Sequence, residues 1–464
     1  MSSPQEIGLK KALGFWWLYT LAIGAVVGDG IFTFTGYAVA SAGPSSIIAY
    51  IIAGVTQMFI MISFGELAVW RPTAGGPEPW VRELVSRRLG FLASIAFSIG
   101  WIIAGGSVGL AVGTYTYNFF KYSGIDLGDP TLWVALFAIL WITIFAILNI
   151  IGVTIAAGTQ FILTITLIGL MTVYAISATF HIDPKNYEPF MPHGLEGFWG
   201  AIPIGVYAYM GASTVLFAGE EAKRPVDVAR VLFWSSLTFI LLYTWALTAC
   251  IGTLTYEEVN VFYEAIYAQS AMKIWGPVAA IIINFGAWLA AATCLLMGTM
   301  YQPARDLYNL ARLGYRLPRW FSYVHPRFRT PINGIIFTWI ISVILIVLGT
   351  VAGQTLGYML LGYELVWGWS ISFLLTTIAA INFRRRYPDE VKKLPWRMPL
   401  WPATPVIAFI GIGLTIFAMF YDLTVSYGAE IATIMAVISL LWIVLLGYVA
   451  KYILPREEVL KAHA

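Results

Sequence analysis

Gly-Ala-Val-Val-Gly-Asp-Gly-Ile-Phe-Thr-Phe-Thr-Gly, residues 24–36, lies in the middle of the first long apolar segment of the chain. That segment, residues 14–40, is long enough for a membrane-spanning helix, which needs about 20 apolar residues. The stretch carries four glycines and a carboxylate, Asp29, and each glycine lowers helix stability by about 1 kcal/mol. Lipid tolerates unpaired backbone only where protein or a polar cavity shields it. We therefore predict two half-helices whose free N–H and C=O groups point at a ligand in the centre of the membrane.

The composition indicates an all-α integral membrane protein. Of the 464 residues, 59% are hydrophobic and only 11% are charged, and the mean hydropathy is +0.79. A soluble core could not cover that much apolar surface, whereas a stack of membrane helices requires it. The net charge of +3 is dispersed among short loops, so no surface for nucleic acid is indicated. The expected partners are the lipid bilayer and a small-molecule substrate, and a partner subunit is left open.

Cysteines and histidines do not form the pattern of a metal or redox site. Cys250 and Cys294 both lie in apolar segments, and all four histidines fall in predicted loops or in the tail. We therefore expect no metal and no cofactor. An enzyme is not expected either, because a membrane-embedded active site would need several convergent groups at mid-membrane.

The hydropathy pattern predicts twelve membrane spans. They are residues 14–40, 43–70, 89–120, 131–152, 154–180, 198–222, 229–254, 276–304, 331–351, 355–381, 403–423 and 428–453. With a cytoplasmic N-terminus, all but three of the 27 lysines and arginines fall on the inner side, the exceptions being Lys121, Lys185 and Lys273. The positive-inside rule therefore puts residues 1–13 and 454–464 in the cytoplasm and the protein in the cell membrane.

A second interrupted segment stands five spans after the first. Residues 205–221 combine small residues and hydroxyls at mid-span and end in an acidic pair. Because five is odd, spans one to five (residues 14–180) and six to ten (residues 198–381) would be inverted repeats. The last two spans, residues 403–453, would stand outside the repeat. Each glycine cluster alone is also compatible with a close helix crossing.

Several motifs, in order along the chain, resemble the amino acid–polyamine–organocation (APC) superfamily of transporters. Gly-Asp-Gly-Ile-Phe at residues 28–32 resembles the Gly-Ser-Gly-Ile-Phe element of its first span. Tyr-Ala-Tyr-Met-Gly at 207–211 and Gly-Glu-Glu-Ala-Lys-Arg-Pro at 219–225 are similar to its sixth span and the following loop. Gly-Glu-Leu at 65–67 and Val-His-Pro-Arg-Phe-Arg-Thr-Pro at 324–331 also match. The resemblance implies an amino acid permease with a LeuT-like fold that works by alternating access.

The resemblance also implies which residues hold the substrate. In such relatives, N–H groups of the first break bind a carboxylate, and carbonyls at the half-helix ends accept hydrogen bonds from the amine. By matching position the N–H groups belong to Gly28, Asp29, Gly30 and Ile31, and the carbonyls to Val26, Tyr207 and Met210, with Gly211 and Ser213 beside them. The partial charges of helix termini agree with this assignment. Tyr207 aligns with an aromatic residue that closes the outer side of the site.

Three departures from the family pattern leave the coupling ion open. Asp29 replaces a small residue, Ser213 stands where many bacterial members have glutamate, and the fifth span has no lysine. The place of that lysine aligns with Thr166 and Leu167. The Thr166 hydroxyl could hold Na⁺, but such hydroxyls more often bond to their own helix. H⁺ coupling, Na⁺ coupling and substrate exchange therefore remain alternatives.

Further charged residues are candidates for gating or proton transfer. Glu364, well inside the tenth span, is either a proton site or a buried group that pins this span to a neighbour. Glu66, Glu220, Glu221 and Asp306 lie among arginines near the predicted inner surface, so we expect them to form a cytoplasmic gate or structural ion pairs. The inner gate is predicted at Glu66, Glu221 and Arg305.

Asp29 is a counter-ion, a proton site or a bystander. As a counter-ion, with Tyr207, Tyr209 and Phe32 available for cation–π contact, it would make a cationic amine or a basic amino acid an alternative to a neutral amino acid, which we favour slightly. A sensor or channel on a transporter scaffold is the alternative from another class.

Overall fold

The computed structural model describes residues 8–28, 30–351 and 354–453, so Asp29 and both extreme termini lie outside the described residues. The described residues form seventeen α-helices and no β-strand, with one isolated bridge between Leu13 and Ala222. The helices are α1 Phe15–Val26, α2 Gly30–Ala42, α3 Ser46–Trp70, α4 Glu78–Leu84, α5 Arg87–Tyr122, α6 Pro130–Ile151, α7 Val153–Thr179, α8 Gly194–Tyr209, α9 Pro225–Thr253, α10 Tyr256–Phe262, α11 Ile266–Trp275, α12 Val278–Thr293, α13 Gln302–Arg312, α14 Ile332–Val351, α15 Gln354–Arg386, α16 Pro388–Lys393 and α17 Ala403–Ile453.

Eleven helical segments of the described chain are long and apolar enough to cross a membrane. One of them, Gly30–Trp70, contains both α2 and α3, joined by a 3₁₀ turn in which Gly43 has a φ of 60°. The 12-residue helix α1 is too short to be counted alone. The helices give twelve spans only if α1 and α2 are the two halves of the first span and α3 is the second.

Sequence signals fix where neighbouring helices begin and end. Asp129 caps α6, its side chain accepting a hydrogen bond from the Thr131 N–H at 2.9 Å, and Pro130 occupies the first helical position. Gly152, with a φ of 151°, separates α6 from α7 without an intervening loop. In the same way Gly428, with a φ of 86°, divides α17 into two helices.

The outer helices expose their apolar side chains. On α6, the exposed large residues recur about once per turn, at Leu132, Leu136, Leu140, Ile147 and Ile151. A helix that turns such a stripe away from the rest of the protein is suited to lipid rather than to water. Together with the eleven spans, this exposure identifies a multi-pass membrane protein.

The interior is built around α5 and the interrupted helices. α5 packs against α15, α6 and α14, while α2 packs against α8 and α1 packs against the 3₁₀ helix Ala212–Ala218 that follows α8. These contacts bring the two interrupted segments side by side.

Candidate functional site

The first interruption lies between α1 and α2. The α-helix ends at Val26 and starts again at Gly30. Between them the Gly28 N–H donates to the Val26 carbonyl at 2.7 Å, which closes a tight turn. A Cβ atom on residue 28 would lie 2.8 Å from the Cys294 Sγ, so this approach requires glycine.

The second interruption follows Tyr209, the last residue of α8. Met210 is extended with a ψ of 147°, and Gly211 has a φ of 131°, a conformation that side chains rarely adopt. A Cβ atom on Gly211 would lie 2.0 Å from the Ala25 carbonyl oxygen. The two breaks therefore touch through their backbones, at the places where the glycine pattern predicted them.

A small cavity lies where the breaks meet, and its empty volume is about 320 Å³ when the space open to solvent is included. It is lined by Ala25, Val26, Gly28, Gly30, Trp101, Ala104, Val108, Tyr207, Ala208, Met210, Cys294, Leu365 and Trp369. All of these lining side chains are uncharged, and most are apolar. A pocket that combines backbone polar groups with apolar side chains is typical of a small-molecule site.

Tyr207 forms one wall of the cavity. A Cβ atom on Gly30 would lie 2.9 Å from its ring, and Phe34 contacts it edge to face with 4.9 Å between the ring centroids. The aromatic ring thus packs on the first turns of α2, directly after the first break. This position is compatible with the predicted gate.

The predicted polar backbone groups differ in their hydrogen bonding. The Val26 carbonyl accepts from Gly28 N–H and from the Tyr243 hydroxyl, at 2.7 and 3.2 Å, and the Tyr207 carbonyl accepts from Met210 N–H at 3.2 Å. Ligand binding at these carbonyls would need a shared or exchanged hydrogen bond. Gly30 and Ile31 open α2, and the first N–H groups of a helix have no acceptor within it.

Ser213 and two of the predicted aromatic contacts lie away from the cavity wall. The Ser213 hydroxyl is buried with no hydrogen-bond partner among the described residues. Tyr209 packs against Tyr50 and Tyr243. Phe32 packs against Tyr267 beside a separate apolar cavity. Of the three rings considered for cation–π contact, only Tyr207 lines the central cavity.

A buried ion pair lies beyond the second break. Arg305 on α13 bonds to Glu221 with a 3.1 Å distance from Nε to Oε2, and both side chains are fully buried. The Tyr301 hydroxyl also donates to Glu221, and the guanidinium of Arg305 lies 3.6 Å from the Tyr301 ring centroid. Backbone hydrogen bonds from Ala12 and Leu13 to the Glu221 carbonyl, at 2.9 and 2.8 Å, add the chain before α1 to this cluster.

The third predicted gate residue, Glu66, lies in a different cluster. It pairs with Arg384 near the end of α15, and it accepts the Met398 N–H at 2.7 Å. The structure thus brings Glu221 and Arg305 together but separates Glu66 from them. Glu220 pairs with Arg312 at 2.6 Å.

Asp306 and Glu78 are buried carboxyl groups near these clusters. Asp306, which we expected among arginines, instead accepts hydrogen bonds from the hydroxyls of Ser94 and Ser98. Glu78 on the short helix α4 accepts from Arg82 at 2.8 Å and from the Tyr315 hydroxyl at 2.6 Å. Burial raises the pKa of Glu78, and Arg82 opposes that rise.

Comparison with known proteins identifies the family. Residues 13–450 match the amino acid permease family over nearly the whole chain. This chain belongs to that family. The resemblance to the APC superfamily, inferred from the motifs of the two breaks, is thereby confirmed.

The permease is also similar to individual curated proteins. It is 26% identical to the branched-chain amino acid permease BcaP of Bacillus subtilis, over 98% of this chain and 95% of that protein. It is 28% identical to the methylthioribose transporter of the same organism, over 86% of each chain. It is 27% identical to cationic amino acid transporter 1 of Arabidopsis thaliana, over 70% of this chain and 56% of that protein.

Glu364 of the permease faces α17 rather than the cavity. Its carboxylate accepts from the Ser439 hydroxyl at 2.9 Å and from the Trp442 indole N–H at 2.8 Å. The adjacent residue Leu365 lines the cavity instead. This geometry favours the interpretation that Glu364 pins the tenth span to a neighbour.

Thr166 of the permease makes the hydrogen bond to its own helix that is the more common arrangement for such a hydroxyl. Its side chain is exposed, and its hydroxyl bonds to the Ile162 carbonyl of the same helix at 2.9 Å. Thr164 and Gln160, two and six residues earlier, face α1, where a Cβ on Gly24 would lie 2.1 Å from the Gln160 amide nitrogen. Helical periodicity in an apolar span does not reveal which face meets a neighbour, so the sequence alone could not show that Thr164 rather than Thr166 faces α1.

Sequence reasoning also missed three other residues that line the cavity. Trp101 on α5, Trp369 on α15 and Cys294 after α12 all line the cavity. The rings of Trp101 and Trp369 lie 4.8 Å apart. The available signal was the depth of Trp369 in its span, since tryptophans of membrane proteins are enriched at the interface rather than at mid-span.

Proposed function

We propose that this permease is a secondary active transporter that moves a neutral amino acid across the cell membrane by alternating access. The support is the cavity at the contact of the two breaks, because it combines half-helix ends suited to a zwitterion with uncharged side chains. The relative named a branched-chain amino acid permease is similar over 98% of the chain, which is in line with this proposal.

The proposal includes a LeuT-like fold with twelve spans and two inverted repeats. α1 and α2 would form the first span, and α8 with the 3₁₀ helix Ala212–Ala218 would form the sixth. Tyr207 would close the site on the outer side, and the Glu221–Arg305 pair would close it on the inner side. The broken segments would tilt between the two closed arrangements.

A cationic substrate is the second candidate. Asp29 follows a cavity-lining residue directly in the sequence, and one relative is named a cationic amino acid transporter. A carboxylate there would attract an amine and repel a substrate carboxylate, by about 4 kcal/mol at 4 Å and an effective dielectric near 20. The lining residues described above supply no other anionic side chain.

The deciding experiment screens purified permease for thermal stabilisation and then measures uptake into proteoliposomes. A ligand at 100 times its dissociation constant should stabilise the folded state by about 2.7 kcal/mol. We expect stabilisation and uptake with leucine, valine or threonine. A response confined to arginine, lysine and polyamines would instead support the cationic candidate, and stabilisation without uptake would support a sensor.

A further inference from the structure

Asp306 is a buried carboxyl group that the proposed transport mechanism does not use. It lies on α13, directly after Arg305, and is fully buried. Its two oxygens accept hydrogen bonds from the hydroxyls of Ser94 and Ser98, which lie one turn apart on α5. A carboxylate that is buried without a cation is unfavourable, so such a group is normally paired or neutral.

The hydroxyl of Ser94 contacts more acceptors than it has hydrogen atoms. Its oxygen lies within hydrogen-bonding distance of one Asp306 oxygen and, at 3.2 Å, of the Gly75 carbonyl oxygen. A serine hydroxyl donates one hydrogen, whereas an ionised carboxylate and a carbonyl can only accept. With a proton on Asp306, the carboxyl group donates to Ser94, and Ser94 donates to Gly75. Both contacts then become hydrogen bonds.

The rest of this network is complete without a further proton. The side-chain amide of Gln302 donates to the Ser98 oxygen at 3.0 Å, so the Ser98 hydrogen can go to the second Asp306 oxygen. The Gly75 carbonyl also accepts the Glu78 N–H at 3.2 Å, which occupies its second lone pair. The hydrogen-bond network therefore closes with one added proton, on the Asp306 oxygen that contacts Ser94.

The charged groups around Asp306 are paired with other residues or exposed. The ion pairs near it are Glu221 with Arg305, Glu220 with Arg312 and Glu78 with Arg82. The tyrosine hydroxyls of this region join the same pairs, Tyr301 at Glu221, Tyr308 at Arg312 and Tyr315 at Glu78. On the other elements that pack against α13, α14 carries no charged residue, α5 begins with Arg87 and Arg88, and Arg319 is exposed. None of these cations forms an ion pair with Asp306, so a proton would supply the missing counter-charge.

The loop between α3 and α4, residues 71–77, connects this network to the second break. It contains Gly75, whose carbonyl belongs to the network, and Ala74, whose N–H donates to Glu220 at 3.1 Å. A Cβ atom on Gly219 would lie 2.5 Å from a backbone nitrogen of the same loop. Movement of the segment after the second break would therefore shift the carbonyl that completes the network.

We propose that Asp306 is a cytoplasmic proton-binding site of the permease, occupied while the Glu221–Arg305 pair closes the inner side and emptied when that side opens. On opening, the carboxyl O–H bond breaks, the proton passes to cytoplasmic water, and the carboxylate keeps the electron pair. An aspartic acid in water has a pKa of about 4, so the hydrated group stays ionised at neutral pH. Because the closed arrangement holds one more proton, a more alkaline cytoplasm favours inner opening. The inference rests on the proposed function, since it takes Glu221 and Arg305 as the inner gate.

The first test detects the proton without a substrate. Infrared spectra of purified permease near pH 7 should contain the C=O stretch of a neutral carboxylic acid, and Asp306→Asn should remove it. Asp227→Asn is the matched control, because Asp227 is also buried but pairs with Arg224 at 2.9 Å and should be ionised. This control should leave the band unchanged.

Two serine variants keep the test valid if Asp306→Asn does not fold. Ser94→Ala removes the acceptor of the O–H group and should shift the carboxylic acid band. Ser107→Ala is its matched control, since Ser107 is equally buried on α5 but bonds within its own helix, to the Ala104 carbonyl. It should leave the band in place.

The second test asks whether the proton follows the inner gate. Proteoliposomes with the same pH on both sides exchange the amino acid that the thermal screen identifies. The exchange rate should rise at least about threefold from pH 6 to pH 8, within the limit of about tenfold per pH unit that one proton sets. Asp306→Asn should exchange equally at both pH values, and Asp227→Asn should keep the wild-type dependence.

Each failure has a distinct meaning. A missing carboxylic acid band, or a band that survives Asp306→Asn, would overturn the proton site. So would thermal stabilisation by sodium chloride but not by choline chloride in the absence of the band, since the cluster would then bind a metal cation. A band at Asp306 together with the same pH dependence of exchange in Asp306→Asn would reduce the proton to a structural one and overturn its link to the gate. If no amino acid is bound or exchanged, the proposed function fails, and the infrared spectra still decide whether Asp306 holds a proton.

Discussion

Tyr207 is the residue for which sequence and structure make the sharpest functional prediction. Its ring covers the cavity beside Gly30 and packs edge to face on Phe34. Tyr207→Ala should leave the fold intact but weaken binding about tenfold or more, a loss near 1.4 kcal/mol that fits the value of one aromatic contact. Titration of purified protein with the amino acid identified by the thermal screen measures the change.

Two control variants separate a gate from general packing. Tyr207→Phe keeps the ring and should retain most of the affinity. Tyr448→Ala removes an exposed tyrosine of α17 that contacts Tyr452 and should change nothing. Unchanged affinity and uptake in Tyr207→Ala would remove Tyr207 from the gate.

The buried Glu221–Arg305 pair predicts that a substitution of one partner strongly lowers the stability of the folded protein. Both side chains are fully buried, and removal of one partner leaves a buried charge unpaired. Glu221→Gln should therefore lower the stability of the folded state by about 3–5 kcal/mol. Lys392→Ala breaks the pair with Asp389, in which the side chains are 72% and 81% exposed, and should leave the stability almost unchanged. Thermal unfolding in detergent compares the two, and equal midpoints would show that the buried charges have other partners.

At the scale of the helix, the second interruption depends on one glycine. Gly211 combines a φ of 131° with backbone contact to Ala25, so a methyl group there must displace a carbonyl of the first break. We expect Gly211→Ala to destabilise the protein by about 2 kcal/mol or more and to abolish ligand binding. Thermal midpoints with and without ligand report both effects.

Gly158 provides the matched control within the same fold. It lies inside α7, and a Cβ atom there would meet nothing within 4 Å. Gly158→Ala should be neutral or stabilising by up to about 1 kcal/mol, because alanine is the better helix former. A Gly211→Ala protein with normal stability and binding would mean that the break adapts to a side chain.

The helices also show what could be read from the sequence. The glycines of residues 24–36 and 205–211 predicted both interruptions. Glycine is unfavourable in a helix, and its presence within a short stretch can be read directly from the sequence. Residues Cys294–Thr299, which follow α12, form a π-helical turn that has no such signal. The turn accepts a hydrogen bond from Asn149, 147 positions away, and such a distant partner leaves no local pattern in the sequence. Likewise, Trp101 and Trp369 lie in spans that are apolar on all sides, where periodicity does not select the face that lines a cavity.

At the scale of the whole molecule, the family and its multi-pass character followed from ordered motifs and hydropathy. The five-plus-five repeat is an inference from parity: the breaks stand five spans apart, and an odd number of crossings inverts the second unit. The isolated bridge between Leu13 and Ala222 adds a contact between the segment before the first break and the segment after the second. We therefore expect movement of one broken segment to displace the other through this contact.

The orientation of the molecule gives the last prediction. Only Lys121, Lys185 and Lys273 would lie outside, because moving a lysine or arginine through the bilayer centre costs about 2.5–3.5 kcal/mol and short basic loops stay in the cytoplasm. In a Cys250→Ser, Cys294→Ser background, Lys121→Cys and Lys185→Cys should react with a membrane-impermeant maleimide in intact cells. Arg319→Cys and Lys392→Cys, equally exposed in the structure, should react only after permeabilisation. The reverse pattern would invert the membrane orientation, and with it the assignment of Tyr207 to the outer gate and of Glu221 with Arg305 to the inner gate.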